Sequence, residues 1–170
     1  MTLHKRAIDI ADMDFSPYGI LYDMRTGAKE SHLVERNEGD GWRDANSTQP
    51  IVDTLASLGY TFGTGAPFTA RQMEMHGHTQ EAVFPTDQAV VFLVARAGGS
   101  APRAEDAIPV IVRPGQVAVL HRGTWHSSAH GVNTGAYYHY LALVYKNEPT
   151  VWANIEDGPV SVSCEPDGGA

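Results

Sequence analysis

From Tyr60 onward the chain is written in a two-residue period, interrupted every few residues by Pro, Gly, Asp or Asn. Segments 60–64, 68–78, 81–84, 89–96, 108–112, 116–121, 124–130, 136–145 and 160–163 all read as short strands rich in Val, Ile, Tyr, Phe and Thr. Many short strands joined by turn chemistry build a sandwich or a barrel, and they leave no room for a βαβ fold. Arg113-Pro114-Gly115-Gln116 carries proline and glycine where a type II turn needs them. Residues 97–106 read as a Gly- and Ala-rich surface loop. The expected fold is therefore all-β, an antiparallel barrel with at most a few short helices.

Helical signals are confined to the first third of the chain. Residues 12–19 could hold one turn, and residues 49–58 a short helix with Asn46 or Ser47 as N-cap and Gly59 as its stop. Residues 26–46 are polar and glycine-containing and read as a long loop. The expected organisation is one domain over 1–170, with an N-terminal arm of about 1–58 and a barrel of about 59–164. A length of 170 residues fits one domain, and 42% apolar residues suffice for one core.

Acidic residues outnumber basic ones 20 to 12, for a net charge of -8. Such a surface repels nucleic acid and anionic membranes, so neither is an expected partner. The longest clean apolar run, 89–95, is too short to cross a bilayer, and no apolar h-region follows the N-terminus. Cys164 is the single cysteine, which excludes an internal disulfide and points to a cytoplasmic home.

Candidate chemistry lies in the histidines. Strand residues alternate between faces, so Gln72, Glu74, His76 and His78 share one face of segment 68–78. His76-Gly77-His78 reads as a chelating pair, and Glu81 follows with Gln80 beside it as its rival for the fourth ligand. Residues 115–126 run from a glycine turn through an apolar strand and a second glycine turn to His126. His126, Ser128 and His130 would share a face of that next strand. His76, His78, Glu81 and His126 together form a three-His, one-carboxylate set suited to a divalent Mn, Fe, Ni, Co or Zn ion. The same histidines could instead line a metal-free polar pocket and bind substrate or shuttle protons.

Residues 115–126 resemble the second cupin motif, and Met75 to Glu81 resembles the first, with Glu81 slightly early. A closer resemblance is to the ureidoglycolate lyase family, itself cupin-like. It is carried by Phe15-Ser16-Pro17-Tyr18-Gly19, by Glu74-Met75-His76 followed by Glu81-Ala82-Val83-Phe84-Pro85, by the apolar strand 89–95, and by His121-Arg122-Gly123-Thr124-Trp125-His126. The chain departs from that pattern at Ser127-Ser128, where the family tends to have histidine and proline. It departs again at Val144-Tyr145-Lys146, in place of Asp-Arg-Gly, and at Gly65-Ala66-Pro67.

The resemblance implies a cupin-like double-stranded β-helix and a metal-dependent C–N lyase of purine metabolism. Such an enzyme splits a small hydroxy-carboxylate into an aldehyde acid (glyoxylate) and an amide (urea). In that scheme the metal binds the substrate's hydroxyl and carboxylate oxygens. His130 or His121 removes the hydroxyl proton, and Arg122 clamps the carboxylate. A metal-dependent cupin oxygenase and a non-catalytic small-ligand-binding cupin are the alternatives, because one fold hosts all three. The expected partners are a small carboxylate substrate and a second copy in a homodimer.

Overall fold

The structure, a computed structural model, describes residues 1–29, 31–144 and 150–164. In chain order the strands are β1 (Leu3–Arg6), β2 (Ile8–Asp9), β3 (Gly19–Asp23), β4 (Val34–Gly39), β5 (Trp42–Ser47), β6 (Ser57–Gly63), β7 (Phe68–Ala70), β8 (Gln72–Met75) and β9 (Glu81–Pro85). They continue with β10 (Val90–Ala95), β11 (Ile108–Val112), β12 (Gln116–Leu120), β13 (Trp125–His126), β14 (His130–Gly131), β15 (Ala136–Ala142), β16 (Val151–Asn154) and β17 (Val160–Ser163). The end of the expected strand 136–145 at Tyr145, and Lys146 after it, lie outside the described residues.

Two main sheets face each other. One runs β3-β12-β9-β15-β6, the other β16-β8-β13-β10-β11-β2 with β14 added beside β10. Pairing is antiparallel except where β1 meets β17 and β2 meets β11. This is the all-β double sheet of cupin type expected from the sequence, made of two separate ladders rather than one continuous closed one.

Alternation explains the layers. Val90, Phe92 and Val94 of β10 point between the two sheets, among Ile10, Phe15, Val83, Leu120 and Tyr138. Val91, Leu93 and Ala95 point the other way, onto Met73, Trp125, Val160 and Val162. There a third sheet, β1-β17-β7, covers the back. β10 is therefore buried on both faces, which is why 89–95 reads as an unbroken apolar run. The turn before β12 forms as expected: Gln116 N donates to Arg113 O at 2.9 Å, and Gly115 takes φ 84°, a conformation that favours glycine.

Three expectations for the first third of the chain are corrected. Residues 26–46 are not a structureless loop: β4 and β5 pair as a hairpin from Val34↔Ser47 to Gly39↔Trp42. Its polar residues misled because the hairpin lies on the surface and buries only Val34 fully. Residues 49–58 form no helix; they run as bends into β6, and Ile51 and Val52 pack on the outer face of the β3-β12-β9 sheet. The turn expected over 12–19 does form, with Tyr18 N and Gly19 N both donating to Phe15 O at 2.9 and 3.0 Å, and a separate 3-10 turn spans Ile10–Asp12, where the Asp9 side chain accepts from Ala11 N at 3.0 Å. Residues 3–23, expected as part of an arm, supply β1, β2 and β3 to three different sheets.

Candidate active site and metal centre

The strand registers build the site. β13 pairs with β8 so that His126 stands directly opposite Glu74, and with β10 so that His126 stands opposite Val94. Directly opposed residues share a face, so Glu74 and His126 both point between the sheets. His76 follows Glu74 by two residues and sits just beyond the end of β8. From the facing sheet, Glu81 and Val83 of β9 point inward while Ala82 faces outward. Gly123, at φ 79°, turns the chain back before Trp125, and its N–H donates to His76 O at 2.8 Å. That bond ties the second motif to the first.

Four side chains converge. His76 Nε2 lies 2.9 Å from Glu81 Oε2, and His126 Nε2 lies 3.5 Å from the same oxygen. Glu74 Oε1 is 4.0 Å from His126 Nδ1. One ligand atom each from Glu74, His76 and His126 lie within 4.8 Å of one another. All but Glu74 are buried. The chamber beside them is lined by Val83, Phe92, Ser127, Ala129 and Tyr138, with exposed Ser128 at its rim. About 10 Å³ of it is open to the centre of a water molecule, which is room for one water or one ion.

Burial and like charge shape the electrostatics. Burial, with the charge of Glu81 beside it, pushes the Glu74 carboxyl up to about 7. Burial pulls His76 down, but the hydrogen bond and charge of Glu81 and the charge of Glu74 outweigh it, so His76 holds its proton more tightly than usual. Burial pushes His126 down to about 4 and keeps it neutral. Burial raises the Tyr138 phenol, which therefore stays protonated.

Two carboxylates and two imidazoles packed together in a buried space fit a cation. Donors around a small divalent ion stand roughly 3–4 Å apart, and the separations here are of that order. Without an ion, the proton between His76 and Glu81 and the proton taken up by Glu74 offset the like charges.

The structure brings His76, Glu81 and His126 together, keeps His78 at their edge and leaves His130, His121 and Arg122 outside. The strand expected over 68–78 breaks at Arg71 and ends at Met75; the His78 ring still meets that of His76 edge-on, with centroids 5.9 Å apart, but it is not in the group formed by Glu74, His76 and His126. His78 Nε2 instead lies 2.9 Å from Leu143 O. Gln80 accepts from Asp53 N at 3.1 Å through its side chain. His130 stacks on Phe68 with centroids 3.8 Å apart, and its Nδ1 lies 3.1 Å from Thr64 Oγ1. His121 Nε2 lies 3.2 Å from Ser16 O, and Arg122 pairs with Asp53 at 3.0 Å. The ligand candidate missed was Glu74, which had a signal, its place two residues before His76 on the same face. Tyr138, one of the tyrosines Tyr137, Tyr138 and Tyr140 that the sequence offers as hydroxyls or an aromatic wall for the substrate, does line the chamber.

Among the described residues no helix is long and apolar enough to cross a membrane. Two solved structures illustrate the likeness of shape. One is the dTDP-6-deoxy-D-glucose-3,5-epimerase RmlC of Legionella pneumophila Philadelphia 1, in complex with dTDP-4-keto-L-rhamnose. It is 12% identical with a TM-score of 0.46, over 84% of this chain and 77% of that one. The other is a dTDP-4-dehydrorhamnose 3,5-epimerase of Elizabethkingia anophelis NUHP1, 9% identical with a TM-score of 0.44, over 74% of this chain and 77% of that one. No curated protein matches the sequence significantly. The sequence profile described as ureidoglycolate lyase matches residues 3–161, nearly the whole chain and every strand that builds the site, and the chain therefore belongs to the ureidoglycolate lyase family, within the cupin superfamily.

Proposed function

We propose that the chain is a cytoplasmic C–N lyase of the ureidoglycolate type. It would cleave a small hydroxy-carboxylate to an aldehyde acid and an amide. The observation that carries this reading is the buried Glu74–His76–Glu81–His126 cluster, in a chain whose family is that of ureidoglycolate lyase.

The reaction needs one group to accept the hydroxyl proton as the carbonyl forms, and another to deliver a proton to the departing nitrogen. Glu74, with a carboxyl near 7, is matched to accepting a proton at neutral pH. In the metal-free form His76, held by Glu81 and keeping its proton more tightly than usual, is matched to delivering one; with an ion bound the same groups are ligands and cannot carry these protons, so the two roles belong to different forms of the site. Tyr138 places a protonated phenol in the chamber wall, where it can hold a substrate oxygen. These roles replace His130, His121 and Arg122, which the fold engages elsewhere.

Glu74, His76, Glu81 and His126 would hold the divalent ion, which when bound supplies positive charge for the substrate's hydroxyl and carboxylate oxygens. No Lys or Arg lines the chamber, so nothing else among its described walls supplies that charge. The substrate would enter past the Ser127–Ser128 rim, and the chamber must widen to admit it, since it has room for about one water.

The test is elemental analysis of the purified protein beside a panel of hydroxy- and amino-carboxylates, reading aldehyde and released nitrogen together. Metal at one ion per chain with matched release of both products is the expected result. Metal-free protein that retains activity under chelation refutes the ligand set, and turnover confined to uncharged substrates refutes the substrate class.

A further inference from the structure

His76 presents its two ring nitrogens to different surroundings. Nε2 faces the chamber, 2.9 Å from Glu81 Oε2. Nδ1, on another flank of the ring, lies 3.3 Å from the hydroxyl of Thr150. Strand β16 delivers that hydroxyl. It pairs antiparallel with β8, from Val151↔Met75 to Asn154↔Gln72. Continued by one residue, the same register sets Thr150 against His76 just past the end of the ladder, and opposed residues share a face. Thr150 is half-buried there.

His126 is placed differently. Its Nε2 lies 3.5 Å from Glu81 Oε2 and its Nδ1 4.0 Å from Glu74 Oε1. Both of those neighbours belong to the acidic cluster itself. Among the described residues, His76 is the imidazole of the cluster whose second nitrogen has a hydrogen-bond partner outside the candidate ligands.

An imidazole binds a cation through the lone pair of one nitrogen, and its proton then sits on the other. Nε2 is the nitrogen of His76 that meets Glu81 in the chamber, so a ligand bond there requires the proton on Nδ1. A threonine hydroxyl can accept the hydrogen bond of that proton. A hydroxyl donating to Nδ1 would do the reverse, placing the proton on Nε2 and blocking it.

We propose that Thr150 is a positioning residue for the divalent ion: its hydroxyl accepts from His76 Nδ1–H, and the Nε2 lone pair is thereby the one turned to the chamber. This rests on the ligand set of the proposed function. When the ion enters, the proton displaced from His76 is the one on Nε2, which leaves to solvent, while Nδ1 keeps its own against Thr150. The hydroxyl also fixes the ring's orientation, so the ligand atom is in place before the ion arrives.

The test uses zinc as the probe, with dissociation constants measured by chelator competition on the unaltered chain, Thr150→Val and Thr150→Ser. Valine keeps the β-branched shape and removes the hydroxyl, whereas serine keeps the hydroxyl. Thr150→Val should weaken zinc binding roughly 10–100-fold, and Thr150→Ser should restore most of that loss. Nitrogen-15 NMR of the unaltered, zinc-loaded chain should show His76 with zinc on Nε2 and its proton on Nδ1, and this measurement decides the matter if Thr150→Val fails to fold. Zinc bound as tightly by Thr150→Val as by the unaltered chain, a loss in Thr150→Ser equal to that in Thr150→Val, or zinc on His76 Nδ1 overturns the role of Thr150 alone. An unaltered chain that takes up no zinc overturns the ligand set of the proposed function, and this role with it.

Discussion

Trp125 and His126 are neighbours on β13 whose side chains belong to different worlds, and replacing each by alanine separates them. Trp125 is 1% exposed on the back of its sheet, packed with Met73, Leu93, Val160 and Val162, and its Nε1 donates to Gly98 O at 3.2 Å. Deleting a buried indole costs about 3–5 kcal/mol. A domain of this size loses about 2–4 °C of melting temperature per kcal/mol, so Trp125→Ala should lower it by roughly 6–20 °C. His126 faces the chamber, where water can take the place of its ring. It is neutral, so Glu81 loses a neighbour at 3.5 Å but no charge, and keeps His76 at 2.9 Å. His126→Ala should therefore change the stability of the metal-free protein by less than about 1 kcal/mol, while abolishing metal uptake and turnover. Thermal melts of both chelated variants, with metal content and urea release measured on the same preparations, read all of this. If His126→Ala melts early and Trp125→Ala melts normally but is inactive, the two faces of β13 have been assigned backwards.

In the metal-free protein, Glu74 contributes stability below pH 4.5 that is lost as pH rises toward 7, because its folded-state value is raised. His126 contributes stability above pH 6.5 that is lost as pH falls toward 4, because its value is depressed. The two slopes oppose each other between 4.5 and 6.5; Glu74→Gln should remove the first and expose an acid-side loss of up to about 1.4 kcal/mol per pH unit, read by urea denaturation, and an unchanged profile refutes it. Saturating a metal-free preparation with the divalent ion should raise stability by about 2.7 kcal/mol at a hundredfold excess over the dissociation constant, seen as a higher melting temperature that chelation reverses. His78→Ala should leave metal content unchanged whereas Glu74→Gln lowers it, and elemental analysis showing the opposite restores His78 to the ligand set.

What the sequence determined by itself was what depends on near neighbours. Alternation and turn residues mark β9 to β12 within a residue or two, because a strand's faces and a type II turn are decided over a few positions. The same local rule put His76 and Glu74 on one face, and the glycine-flanked segment 115–126 marked His126. Only the tertiary structure decided which of these residues meet. His126 faces Glu74 because β13 lies between β8 and β10, a register set by burying Trp125 and Val94 on opposite sides, and no spacing along the chain encodes it. His78 stays beside His76, with ring centroids 5.9 Å apart, but its Nε2 is turned to Leu143 O at 2.9 Å, because its strand stops at Met75 and the chain turns there. The β4–β5 hairpin escaped notice for a related reason: its apolar contacts are made against a distant sheet, so its own residues are almost all polar. Pairing between strands far apart in sequence is a property of the folded whole, and the site is assembled from such pairings.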